Sequence, residues 1–176
     1  MSIFLIDRNG LKHPTEAIWS EFGASTAPCP PDLASPTDFA RLIASDLMTR
    51  PVITLSAESP LCDALELYDS YHFRHLPIVT NFGQLCGILS ERDLFTWINR
   101  HPQTVMADLL EKPVSTIMTT QVLVVTPNAP SDLVLAIMLY RAIGSLPVIQ
   151  GSDNTGTSAN LLGIITKTNI IENFFA

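Results

Sequence analysis

Two short stretches carry the chemistry this chain could offer. Ser90-Glu-Arg-Asp93 and Thr166-Lys-Thr-Asn169 each place a hydroxyl three residues ahead of a carboxylate or its amide. Each follows a short apolar run and opens a helical pattern, so the hydroxyl falls at a helix N-terminus. Unpaired N–H groups and the helix dipole favour an anion there. A phosphate at that point gains backbone and hydroxyl hydrogen bonds together. Asp93 or Asn169 then lies about one turn along the same face. From there a short carboxylate or amide can accept from a ribose diol, as an acidic residue does in dinucleotide sites. The same spacing also fits a capping box, in which Ser-x-x-Asp and Thr-x-x-Asn satisfy only their own backbone. Spacing alone leaves both readings open.

Other chemistries find no support. There is no Ser/His/Asp set, P-loop, GxGxxG or HExxH. The carboxylate pairs Glu66 with Asp69 and Glu91 with Asp93 fall on expected helix surfaces, where solvation explains them. Cys29, Cys62 and Cys86 show no CxxC spacing, and His13, His72, His75 and His101 no H-x3-5-H pairing. Neither a disulfide framework nor a metal site is expected, and Cys62 and Cys86 read as small buried hydrophobes. His72 and His75 read as structural residues, and no enzymatic activity is expected.

The elements that must hold these stretches repeat. Shifted by seventy residues, Met48-Thr49 matches Met118-Thr119, Val52 matches Val122, Pro60 matches Pro130, and Leu76-Pro77 matches Leu146-Pro147. The register then slips by six, and Gly87-Ile-Leu-Ser aligns with Gly163-Ile-Ile-Thr. The extra residues fall in Gln150–Asn160, a segment of turn formers expected at a hairpin tip. Strands are expected over Val52–Leu55 and Val122–Thr126. Helices should begin at Pro60 and Pro130, with Ser59 able to cap the first, and run to about Phe73 and Ile143. Hairpins over Leu76–Thr80 with Gln84–Leu89, and Leu146–Gln150 with Leu161–Ile165, precede final helices capped by Ser90 and Thr166. The order is β-α-β-β-α, twice. One such half-unit cannot bury its apolar sheet face alone, whereas two stacked sheet to sheet with pseudo-two-fold symmetry can. The helix Leu133 to Tyr140 is apolar on every side, so a second cover is required beyond its own sheet. A second copy of the chain is the simplest candidate, which predicts a homodimer.

Residues 1–36 differ. Ile3 to Ile6 suggests a short strand, Asn9-Gly10 a turn, Thr15 to Phe22 a helical turn or two, and Ser25 to Pro36 an extended arm or linker. The expected division is residues 1–36 as arm, 37–100 as first repeat, 101–113 as connector and 114–176 as second repeat. With 47% hydrophobic and 15% charged residues, the 176-residue chain should fold. Ten Lys+Arg against seventeen Asp+Glu, a net charge of −7, argue against nucleic acid as a partner. No apolar run approaches a membrane span, and the opening Met1 to Ile6 lacks a basic leader, so the cytoplasm is the expected compartment.

The repeated pattern resembles a tandem pair of CBS domains, the Bateman module, over about residues 45–99 and 114–175. Three pieces carry it in order, twice. These are the opening Met48-Thr49 and Met118-Thr119, the strands Arg74-His-Leu-Pro-Ile-Val79 and Gly144-Ser-Leu-Pro-Val-Ile149, and the closing motifs Gly87 to Asp93 and Gly163 to Asn169. The resemblance implies an α/β (α+β) fold and a stand-alone regulatory module. Such a module would sense AMP, ADP, ATP or S-adenosylmethionine between the repeats and signal to a partner protein. The alternative is a ligand-free scaffold that only dimerises. Arg74 is implied as a phosphate ligand, with solvated arginine at a helix end as its bland reading. Ser90, Asp93, Thr166 and Asn169 complete the implied ligand set. Thr54 could reach a base edge or be a plain strand residue. Gly144 stands where Arg74 does in the first repeat, so the second grip should be weaker, with Lys167 compensating in part.

Overall fold

The computed structural model describes residues 3–6, 12–14, 39–150 and 160–175. The expectations for residues 9–10, 15–22, 25–36 and 151–159 lie outside the described residues. In chain order the elements are β1 (Ile3–Ile6), β2 (Lys12–Pro14), a 3-10 turn (Phe39–Arg41), α1 (Ala44–Leu47), β3 (Leu55–Ser56), α2 (Leu61–Tyr71), β4 (His75–Val79), β5 (Leu85–Ser90), α3 (Glu91–Arg100), α4 (Met106–Leu110), a second 3-10 turn (Val114–Thr116), β6 (Val122–Val125), α5 (Ser131–Tyr140), β7 (Ser145–Ile149), β8 (Leu161–Thr166) and α6 (Lys167–Phe174). The expected β-α-β-β-α order appears twice, as β3-α2-β4-β5-α3 and β6-α5-β7-β8-α6. Among the described residues no helix is long and apolar enough to cross a membrane.

These elements form two compact units whose composition cuts across the sequence repeats. Among the described residues, unit 1 gathers 3–5, 12–14, 39–52, 123–150 and 160–175; unit 2 gathers Ile6 and 53–122. Unit 1 holds the sheet β2-β1-β6-β7-β8, and unit 2 the sheet β3-β4-β5. Within each, the hairpin is antiparallel in the same register: Pro77 opposes Ile88, and Pro147 opposes Ile164. The first strand joins it in parallel, Leu55 beside Ile78 and Val125 beside Val148.

The Met-Thr pairs explain the crossing. Thr49 bridges Ile164 at the outer edge of β8, its N–H donating to the Ile164 carbonyl at 2.9 Å. Thr119 does the same at β5, its N–H donating to Ile88 at 2.8 Å. Each methionine then lies on the glycine of that strand, Met48 on Gly163 and Met118 on Gly87. The segment that opens one repeat therefore closes the sheet of the other. An edge that would otherwise present unpaired N–H and C=O groups is covered.

Helix α5 is buried from Leu133 through Met138, and only Leu139 and Tyr140 emerge. Its second cover is not another chain. Phe39, Ala44 and Leu47, from the 3-10 turn and α1, join Leu133, Val134, Ile137 and Met138 in one core. The Ser131 hydroxyl donates to the Phe39 carbonyl at 2.6 Å, and the Ser131 N–H to Leu42 at 3.0 Å. The all-apolar composition is thus satisfied within unit 1, and the reason it gave for a homodimer falls away.

Three local expectations shift. Pro60 and Pro130 are the N-cap residues, one position before the first helical turn, and neither helix has a side-chain cap. Ser59 does not cap α2; the Leu61 N–H donates instead to the Lys112 carbonyl at 2.9 Å. The first strand of unit 2 is only Leu55–Ser56, because parallel pairing to β4 starts at Leu55, and Thr54 precedes it.

A Cβ added to Gly163 would meet the Met48 Cγ at 2.7 Å and its Cβ at 2.9 Å, whereas at Gly87 it meets only the outer Met118 side chain and the Thr119 carbonyl. Gly163→Ala should therefore cost about 1–3 kcal/mol, and Gly87→Ala less, in urea unfolding. Ile137→Asp puts an unpaired charge where the side chain is 6% exposed. It should cost about 3–5 kcal/mol and leave the chain largely unfolded at 37 °C by circular dichroism.

Candidate functional site

Ser90 and Thr166 stand where a strand passes directly into a helix, β5 into α3 and β8 into α6. Both keep extended backbone at the junction. In unit 2 the Ser90 N–H and hydroxyl donate to Asp93 Oδ2 at 2.9 and 2.6 Å, and the Asp93 N–H returns to Ser90 Oγ at 3.2 Å. In unit 1 the Thr166 N–H and hydroxyl both donate to Asn169 Oδ1 at 2.8 Å, and the Asn169 N–H reaches Thr166 Oγ1 at 3.4 Å. Both motifs are therefore closed capping boxes, each satisfying helix-end groups that would otherwise lack partners.

The two differ in what is left over. Asp93 spends one carboxylate oxygen on the cap, and no hydrogen bond engages Oδ1 among the described residues. Asn169 spends its oxygen on the cap and its Nδ2 on Thr49 Oγ1, at 3.1 Å. The residue that seals the β8 edge thus also occupies the second polar atom of Asn169. Sequence reasoning noted the Met-Thr pair but missed this contact, since nothing in the spacing says that Thr49 meets the far repeat.

Arg74 ends the loop into β4, and its side chain is 80% exposed. Its Nε lies 3.8 Å from Glu91 Oε2, an exposed pair of small energetic weight. A groove of about 360 Å³ in unit 2 is lined by Arg74, Ser90, Arg92, His75 and Thr96 among others. Arg74 and Ser90 are thus brought together. Asp93 joins them through the Ser90 hydroxyl, although it does not line the groove. Arg92 and His75 line it too; the sequence reading took His75 as a structural residue and did not name Arg92 as a ligand, although its charge between Ser90 and Asp93 was a signal. Thr54 is half-buried and does not line this groove. In unit 1, Thr166 and Asn169 are half-buried and Lys167 is exposed at the first turn of α6.

Tyr68 of α2 lies beneath this region. Its hydroxyl donates to the Leu89 carbonyl at 2.8 Å. Burial, followed by the negative charges of Asp93 and Glu91, pushes its pKa well above the ordinary tyrosine value.

Comparison with known proteins places the geometry in a family. The CBS-domain family model matches residues 44–100 and 114–176. L-aspartate semialdehyde sulfurtransferase of Methanosarcina acetivorans is 29% identical over 128 residues, 73% of this chain but 23% of that enzyme. The chain thus spans about a quarter of that relative's length. The solved structure of a candidate acetoin utilization protein (AcuB) from Vibrio cholerae is similar with a TM-score of 0.63 and 31% identity, covering 74% of this chain and 88% of that one. The CBS domain pair of protein MJ0100, solved in complex with 5′-methylthioadenosine and S-adenosyl-L-methionine, gives a TM-score of 0.61 and 25% identity, covering 76% and 95%.

The shift of Tyr68 fixes a pH dependence. The folded chain keeps a proton that the unfolded chain releases as pH passes about 10. Folding stability should therefore fall as pH rises through that range. Thermal melts between pH 8.5 and 11 should show the fall, and Tyr68→Phe should reduce it.

Proposed function

Because this chain belongs to the CBS-domain family, we propose that it is a regulatory module that binds an adenosine-containing ligand and passes the binding energy to a partner protein. AMP, ADP, ATP and S-adenosylmethionine are the candidate ligands. The observation that carries the proposal is the free carboxylate oxygen of Asp93, beside a helix N-terminus and a groove holding Arg74 and Arg92. A carboxylate can accept from both hydroxyls of a ribose, while guanidinium groups pair with phosphate. The adenosine compounds bound by the MJ0100 pair support the ligand class. We place the tighter grip at Ser90, Asp93 and Arg74. Thr166, Lys167 and Asn169 form the weaker one, because the amide of Asn169 is already engaged and Gly144 supplies no charge. Thr54 is retained as a contact to the base. We assign the chain no reaction of its own, a cytoplasmic location, and self-association as a homodimer.

The alternative, a scaffold without ligand, draws on the closed capping boxes, which already satisfy both motifs. Thermal shift separates the two. A ligand at a hundred times its dissociation constant adds about 2.7 kcal/mol of apparent stability, and one of the four should raise the melting temperature at millimolar concentration. Silence from all four would leave the scaffold. Asp93→Asn keeps the cap, as Asn169 does in unit 1, and should weaken binding by roughly tenfold to a hundredfold in calorimetry. Asp93→Ala should remove most binding and Asn169→Ala little. The reverse pattern would exchange the two sites.

A further inference from the structure

Two grooves of unit 2 meet at one ion pair. The groove of about 360 Å³ described above holds Arg74, Ser90 and Arg92. A second, of about 440 Å³, has Tyr68, Asp69 and Leu94 in its wall. Arg74, Glu91 and Phe95 line both.

The pair is built into the backbone. The Glu91 N–H donates to the Arg74 carbonyl at 3.3 Å, which holds the two residues side by side. The Arg74 Nε then stands 3.8 Å from Glu91 Oε2. Unit 1 repeats the backbone bond, from the Lys167 N–H to the Gly144 carbonyl at 3.3 Å. A lysine and a glycine cannot make the ion pair, so the device belongs to unit 2 alone.

Glu91 is an anion in the first turn of α3, where the helix dipole favours negative charge. A phosphate is drawn to that same helix end for the same reason. In the free chain Glu91 therefore does what a phosphate would do in the complex: it brings negative charge to the start of α3 and engages the Arg74 guanidinium. A phosphate approaching Ser90 meets a repelling carboxylate and an arginine already turned towards it. An exposed pair at this distance contributes less than a charge-assisted hydrogen bond, so the phosphate wins the guanidinium, at reduced affinity.

We propose that Glu91 is an internal competitor for the phosphate of the ligand, and that binding moves Arg74 from Glu91 to that phosphate. Glu91 and Asp69 then stand without that cation in the wall of the larger groove, so that occupancy of one groove changes the charge of the other. This rests on the adenosine-ligand reading above and specifies how that site is regulated.

Calorimetry with AMP, ATP and adenosine tests it. Glu91→Gln keeps the side-chain length and removes the charge. It should tighten AMP and ATP about twofold to fivefold at low salt and leave adenosine unchanged. The gain should vanish at 1 M salt, where the screening length is about 3 Å. Arg74→Ala should weaken AMP, and in that background the gain from Glu91→Gln should largely disappear, as expected of two residues acting through one contact. Melting temperatures without ligand check the fold of each variant. AMP binding left unchanged or weakened by Glu91→Gln, while Arg74→Ala weakens it, would overturn the competition and leave the site standing. So would an equal change for all three ligands, which is what a helix-end effect alone produces. Binding of adenosine or S-adenosylmethionine but of neither AMP nor ATP would keep the ligand reading and overturn the competition. Failure of all four to bind would remove the ligand reading, and this inference with it.

Discussion

A small sheet with one apolar face cannot stand alone, and the means of closing it governs the remainder of this molecule. Closure comes from chain that belongs, by sequence, to the other repeat. Met48 lies on Gly163 and Met118 on Gly87, and the threonine after each methionine bridges the strand beneath it. The glycines are required at these two places because a side chain would occupy the space of the thioether. Methionine suits the task, since its unbranched chain adapts to a flat strand surface. With the edges of β5 and β8 closed in this way, each strand can run straight into its helix and present a hydroxyl at the helix start.

From that common frame the units diverge in polar detail. Asp93 and Asn169 cap their helices in the same way, yet only the amide has a second atom to donate, and Thr49 receives it. A change from carboxylate to amide therefore alters more than charge. It joins the capping residue to the segment closing the sheet edge, and unit 1 becomes tied together where unit 2 keeps an acceptor in reserve. Arg74, at the position where unit 1 has Gly144, widens the difference.

Much of this was legible in the residues. The repeat could be read because Leu-Pro strands and Gly-h-h-Ser/Thr motifs recur in fixed order, and the capping boxes because a hydroxyl three residues before Asp or Asn has few other structural uses. The helix Leu133 to Tyr140 correctly announced that it needed two covers, but composition does not say who supplies them. Phe39 and Leu47 did so from the same chain. Ser59 looked like a cap until the Lys112 carbonyl, distant in sequence, took the N–H it would have served. In each such case the competing partner lay far along the chain, where local propensity and periodicity carry no information.

The crossing of segments also orders events at the ribosome. Phe39, Leu47 and Met48 emerge long before the surface they cover, since Gly163 follows Met48 by 115 residues. At typical elongation rates of about 5–20 residues per second, that apolar stretch waits on the order of ten seconds for its partner. The nascent chain therefore carries a hydrophobic segment that nothing already synthesised can shelter in its final place. Contacts so far apart raise contact order and slow folding. The same stitching that makes the two repeats interdependent in the finished protein makes early chaperone protection most valuable over the stretch from Phe39 to Met48.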